Sequence, residues 1–200
     1  MKKLLLTSAG LTTENIKKEF LKRLDKPVGE NKLLIISYNR YEESLDSAKA
    51  PILEAGVKEE NVKIIDISKD EKVDSFDNFD IVYVLGGNTF SILDKIRKIG
   101  LDKLIIKFIK SGKLYIGLSA GSMIVGPNIS ISETYSEKDK NHVGLKDVRG
   151  FRLIDVELFP HFTEDKKGLI EGFQKKVSYK ILGLTDEQAL LVIGEKIKII

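Results

Sequence analysis

Gly117-Leu118-Ser119-Ala120-Gly121 is the stretch whose residue types and spacing point most directly to chemistry. A G-x-S-x-G segment at a strand-to-helix turn is a nucleophile elbow, which presents a serine hydroxyl at the carboxyl end of a sheet. Its two glycines are expected to tolerate a tight, strained turn. The strand it requires reads from Lys113 to Gly117 (KLYIG), and the small residues Ala120-Gly121-Ser122 follow. The plainer alternative is a glycine-rich turn that contains a serine incidentally.

A serine hydroxyl is a poor nucleophile at neutral pH and needs a base beside it. The chain has two histidines. His142 lies in the polar stretch Lys138 to Lys146 and reads as a solvated side chain. His161, in Phe159-Pro160-His161-Phe162, ends an apolar run between a proline and an aromatic ring, where one rotamer can be held. A third group must orient the imidazole and stabilise its protonated form. Asp186 and Glu187 follow Ile181-Leu182-Gly183-Leu184-Thr185 at another strand end, and either can serve. Glu133, Asp139 and Glu164 are further loop carboxylates; Asp186 ranks first.

A second glycine-rich strand end, Gly86-Gly87-Asn88-Thr89, follows Asp80 to Leu85 (DIVYVL). Ligands of doubly wound sheets sit beyond the carboxyl ends of strands, so the two glycine-rich ends are expected side by side. Gly87, without a side chain, can bring its N–H to a substrate carbonyl. Together with the Ala120 N–H it would hold an oxyanion, while Gly86 and Asn88 would position the substrate. Neither glycine pair has the G-x-G-x-x-G spacing of a dinucleotide site, so no nicotinamide or flavin cofactor is expected. The absence of cysteine excludes a disulfide scaffold, a thiolate zinc site and a cysteine nucleophile. Two histidines leave little material for a metal centre, and none is expected.

Several elements must position these residues. Short continuous apolar runs alternate with amphipathic stretches, as buried parallel strands alternate with helices. Strands are predicted at Lys3 to Ser8, Leu33 to Ser37, Val62 to Ile67, Asp80 to Leu85 and Lys113 to Gly117. Helices are predicted at Thr12 to Asp25, with Ile16, Phe20, Leu21 and Leu24 inward and Thr12 or Thr13 as cap, and at Ser44 to Ala55, with a start or kink at Pro51. Phe90 to Ile99 and Leu101 to Ser111 give two more, the second with Leu104, Ile105, Phe108 and Ile109 inward. Asn128 to Gly150 is polar and without a strong period. Leu153 to Phe159 alternates like an edge or antiparallel strand, and Glu164 to Val177 reads as a helix with Leu169, Ile170, Phe173 and Val177 on one face. Lys180 to Leu184, Ala189 to Ile193 and Lys196 to Ile200 close the chain as β runs, the last two as a hairpin through Gly194-Glu195. The expectation is an α/β three-layer sandwich with a mostly parallel central sheet, one domain over residues 1–200.

Charge narrows the partners. A net charge of +3 and a pI of 8.8 look basic, but the lysines are scattered among nearly as many acids. Only Arg23, Arg40, Arg97, Arg149 and Arg152 could make forked contacts, so no nucleic-acid partner is expected. The apolar start Leu4-Leu5-Leu6 stops at Thr7-Ser8-Ala9-Gly10, short of the roughly 7–15 residues of a signal-peptide core. No stretch approaches the roughly 20 apolar residues of a membrane span. The expected location is the cytoplasm; the oligomeric state stays open between monomer and homodimer.

GGNTF (Gly86 to Phe90), LYIGLSAGS (Leu114 to Ser122), PHF (Pro160 to Phe162) and GLTDE (Gly183 to Glu187), in that order, resemble the peptidase E family of aspartyl dipeptidases and cyanophycinase-like relatives. The resemblance spans nearly the whole chain. It implies a fold like that of the class I glutamine amidotransferases, with Ser119 as nucleophile, His161 as base and Asp186 as acid. The family more often has Glu at that last place, so Asp186 is a shorter-reaching departure. Where some readings of the family put an Asp in the loop after the serine, this chain has Ser132-Glu133-Thr134, and Thr134 cannot play that part. The aspartyl dipeptidases also carry an arginine soon after the histidine, whereas Thr163-Glu164-Asp165-Lys166-Lys167 stands here. Lys166 or Lys167 can supply a point charge but not a planar fork. The expected function is therefore a serine peptidase of short peptides, dipeptidase-like, with acidic specificity weakened. An esterase or amidase with the same triad is the alternative among enzymes. From another class, a binding module would cradle an anion and use Ser119 only as a hydrogen-bond donor.

Overall fold

Alternate residues of each central strand enter different cores, and this is what makes the protein three-layered. The computed structural model describes residues 1–38, 42–135 and 139–200, so Arg40 and Lys138 lie outside the described residues. In β1 (Lys3–Thr7) Leu4 and Leu6 join one core and Leu5 the other. The same division holds in β2 (Leu33–Ser37), where Leu34 and Ile36 oppose Leu33 and Ile35. A strand covered on both faces reads as a continuous apolar run, which is why these segments were visible in the sequence.

α1 (Glu14–Lys22) and α2 (Glu42–Glu54) cover one face, burying Ile16, Phe20, Ala48 and Ile52. The hydroxyl of Thr13 accepts from the Ile16 N–H at 3.2 Å and caps α1. Leu21, expected inward, is 40% exposed because the buried stripe of this short helix runs through Ile16 and Phe20. α2 continues through Pro51 rather than starting there. β3 (Val62–Asp66) and β4 (Ile81–Val84) flank β2 in parallel register. α3 (Thr89–Lys98) and α4 (Leu101–Lys110) pack on the opposite face with Phe90, Leu93, Ile96, Ile105, Phe108 and Ile109 inward. β5 (Leu114–Leu118) lies between β4 and β1, parallel to both, and leads into the single turn α5 (Ala120–Met123).

The polar stretch after Pro127 is anchored more firmly than its composition suggests. Ile129 and Ile131 are fully buried, and a 3₁₀ turn over Ser130–Thr134 follows Ile129. β6 (Val156–Phe159) corrects the expectation for Leu153 to Phe159: it is neither a main-sheet edge nor antiparallel. It pairs in parallel with β7 (Lys180–Gly183) in a separate two-stranded sheet, with α6 (Lys167–Gln174) between them in the chain. β8 (Ala189–Ile193) and β9 (Lys196–Ile199) form the terminal hairpin and complete a seven-stranded sheet of order β3-β2-β4-β5-β1-β8-β9. The first five strands run parallel; β8 is antiparallel to β1.

The alternation in β6 misleads because both of its faces are covered, so Glu157 is buried completely. Its Oε1 accepts from the Ile131 N–H at 3.4 Å, and its Oε2 has no hydrogen-bond partner among the described residues. Burial raises its pKa from 4.5 to about 7, against the opposing pull of the Ile131 N–H. A carboxyl that holds its proton more tightly when folded loses stability as pH rises from its unfolded value through its folded one. Stability should therefore fall between pH 4.5 and about 7 and level off above. Glu157→Gln is expected to remove that fall, so that the variant gains about 3 kcal/mol on the wild type between roughly pH 4 and pH 8. Urea unfolding at the two pH values reads the difference, and a constant difference would refute it.

Candidate active site

The elbow forms because Gly117 and Gly121 allow three backbones to touch. A Cβ on Gly121 would stand 2.1 Å from the Val84 carbonyl oxygen of β4, and one on Gly117 would meet Gly121 and Ser122 at 2.7 Å. Neither glycine has positive φ, so their part is close approach rather than the conformational tolerance expected from the sequence. The unusual backbone belongs to Ser119 itself, at φ 50° and ψ −109°. Such a conformation costs on the order of 1–3 kcal/mol and persists only where its surroundings impose it. Here the Ser119 N–H donates to the Thr7 carbonyl at 3.0 Å, and the Ser122 and Met123 N–H groups donate to the Ser119 carbonyl at 2.8 and 3.1 Å.

β6 delivers His161 to the same end of the sheet. The Phe162 N–H donates to the Leu184 carbonyl and the Leu184 N–H to the Phe159 carbonyl, both at 2.9 Å, which locks the segments after β6 and β7 together. His161 Nε2 then lies 3.0 Å from Ser119 Oγ, and its Nδ1 lies 2.6 Å from Asp186 Oδ1. Glu187 is exposed one residue further on, and Glu133 and Glu164 are exposed too. His142 is exposed as well.

The serine opens into a cleft of about 610 Å³ lined by Gly87, Asn88, Leu118, Tyr135, Asp139 and Lys166 among others. A second cleft of about 560 Å³, beside α2, shares Leu118 and His161 with it. β4 and β5 are neighbours, so Gly87 and Ala120 both border the serine. Gly87 has φ 138°, a conformation open to glycine, and sits exposed at the cleft. Asn88 caps α3 by accepting from the Ser91 N–H at 2.9 Å, and its amide donates to the Lys140 carbonyl at 2.8 Å. Its side chain thus shapes the cleft wall. Gly86 is buried behind it. Lys166 enters the cleft, while Lys167 pairs with Glu164 at the surface at 3.5 Å.

Two residues beside the triad escaped the sequence reading. Ser8, fully buried, donates to Asp186 Oδ1 at 2.8 Å and accepts from the His161 N–H at 2.7 Å. The Thr12 hydroxyl donates to the Asp186 carbonyl at 2.7 Å. Nothing in Thr7-Ser8-Ala9-Gly10 marks these roles. They follow from β1 lying between β5 and β8, a pairing of segments more than a hundred residues apart. Among the described residues no three His, Cys, Asp or Glu side chains gather as metal ligands, and no helix is long and apolar enough to cross a membrane.

The model of peptidase family S51 matches residues 4–200. An uncharacterized peptidase of Listeria monocytogenes serovar 1/2a is 30% identical over 98% of this chain and 97% of its own length. Peptidase E of Escherichia coli O1:K1 / APEC is 35% identical over 65% of this chain and 51% of its own. The crystal structure of a candidate peptidase E protein from Listeria monocytogenes EGD-e matches with a TM-score of 0.78 and 26% identity, covering 100% of this chain and 98% of that one. The sandwich is thus of the class I glutamine amidotransferase-like type. With a family match over nearly its full length, this chain belongs to peptidase family S51 and is a hydrolase that acts as a peptidase.

Proposed function

We propose that the protein is a serine peptidase of short peptides in which Ser119 is the nucleophile, His161 the general base and Asp186 the orienting acid. The observation that carries this reading is the continuous chain from Ser119 Oγ through His161 to Asp186, at 3.0 and 2.6 Å, on a serine held in a strained turn. As Ser119 Oγ attacks the scissile carbonyl carbon, His161 Nε2 takes its proton and the carbonyl oxygen becomes an anion. The N–H groups of Gly87 and Ala120 receive that oxyanion; removing one such donor elsewhere costs about 10²–10³ in turnover. The tetrahedral species collapses as His161 returns the proton to the leaving amine. Water then enters, and its oxygen bonds to the acyl carbon as His161 takes its proton. The second tetrahedral species collapses by breaking the bond to Ser119 Oγ, which receives that proton from His161, and the acyl group leaves as the free acid. Gly86 and Asn88 shape the wall along which the peptide lies.

Substrate charge follows from the cleft. Lys166 offers one cation beside the serine, and it lies 3.3 Å from the exposed Asp165 carboxylate, while Asp139 lines the same space. We infer an acidic residue before the cleaved bond, favoured but not demanded. A fluorophosphonate ester should label Ser119 with loss of fluoride, and a dipeptide library should be cleaved with an acidic preference that weakens as salt screens Lys166. A protein left unlabelled would refute Ser119 as the nucleophile, cleavage without acidic preference would refute the inferred specificity, and salt-insensitive cleavage after Asp alone would refute the assignment to Lys166.

A further inference from the structure

The last residue of β1 and the residue after it hold the two halves of the site separately. Thr7 serves the nucleophile: its carbonyl accepts from the Ser119 N–H at 3.0 Å and from the Ser122 hydroxyl at 2.8 Å. Its own hydroxyl donates to the Gly117 carbonyl at 2.8 Å. Ser8 serves the histidine and the acid. A backbone N–H can only donate, so the Ser8 oxygen must accept from His161 N at 2.7 Å, which leaves its single hydrogen for Asp186 Oδ1 at 2.8 Å. That oxygen is the one facing His161 Nδ1.

We propose that Ser8 is a positioning residue for the peptidase reaction, a buried hydroxyl that fixes the His161 backbone and the Asp186 carboxylate relative to each other. The proposal rests on the triad reading above. The side chains of His161 and Asp186 are 49% and 59% exposed, so packing does not hold them. His161 also sits at φ 53°, a conformation that needs external restraint. Thr12 fixes only the main chain of Asp186, through its carbonyl. Without the Ser8 hydroxyl the carboxylate can swing about its own bond, and the His161 N–H loses its acceptor. A misplacement of about 1 Å at a reacting group can cost about 10²-fold in rate.

The test is the time course of fluorophosphonate labelling of the full chain, which reads rate and final labelled fraction apart. In Ser8→Ala the labelling rate constant should fall about 10- to 100-fold while the final fraction stays at the wild-type level. A hydroxyl that only stabilised the fold would lower the thermal unfolding midpoint of Ser8→Ala and leave its labelling rate unchanged below that midpoint, which would overturn the proposal. So would a rate within twofold of wild type. If Ser8→Ala does not fold, Ser8→Cys fills the site with a larger atom that is a weaker donor and acceptor, and its rate should also fall; an unchanged rate there is equally fatal. Failure of the wild type itself to label would overturn both this proposal and the triad reading, whereas normal wild-type labelling with an unaffected Ser8→Ala would overturn the first alone.

Discussion

Ser119→Ala is expected to lower peptide hydrolysis about a millionfold, because loss of the nucleophile in a serine protease removes nearly all that its triad contributes. The substitution keeps the Cβ and deletes only the hydroxyl, whose hydrogen-bond partner is His161. The backbone bonds that hold the elbow, from Ser119 N–H to Thr7 and from Ser122 and Met123 to the Ser119 carbonyl, do not involve the side chain. Thermal unfolding should therefore stay close to wild type while turnover disappears. Residual activity above background would come from the Gly87 and Ala120 donors and from substrate positioning, which in other serine proteases leaves about 10³–10⁴ over water. Steady-state hydrolysis of the best library dipeptide by purified variant and wild type measures the ratio. Activity within tenfold of wild type would remove Ser119 from the mechanism.

Legibility in the sequence divided along local and non-local lines. Four of the five parallel strands were visible because they are covered on both faces, as Leu33 to Ser37 is, and such a run needs no knowledge of its partners; β3, at the sheet edge, is only partly buried. The elbow was visible because Gly117, Ser119 and Gly121 are close in the chain. The reason for the glycines was not: the Val84 carbonyl that excludes a side chain at Gly121 comes from another strand. β6 was misjudged for a related reason. Alternation of Ile154, Val156 and Leu158 with polar residues implied one wet face, yet Glu157 is dry because the turn carrying Ile131 packs over it. Ser8 was invisible altogether. Its partners are 153 and 178 residues away, and no local pattern distinguishes a serine that brackets a histidine from one that ends a strand.

Asp186→Asn should leave the fold intact and lower turnover by up to about 10⁴, the loss seen in a well-studied serine protease for the corresponding change. Two effects combine. The amide has no charge with which to stabilise imidazolium as His161 takes the serine proton. If its NH₂ faces Nδ1, it also selects the tautomer that carries the proton on Nε2, and that nitrogen then cannot act as base. The Ser8 hydroxyl opposes the second effect, since it donates to the oxygen that faces Nδ1 and favours keeping an acceptor there. Combining Ser8→Ala with Asp186→Asn should therefore cost more than either change alone, although the two side chains share one hydrogen-bond network. Glu187→Gln is the control: its side chain is exposed beside the site, and turnover should change no more than a few-fold. Hydrolysis of the same dipeptide by Asp186→Asn, Ser8→Ala, their combination and Glu187→Gln gives the answer. A large loss in Glu187→Gln with little in Asp186→Asn would move the acid by one residue and leave Ser119 and His161 in their roles.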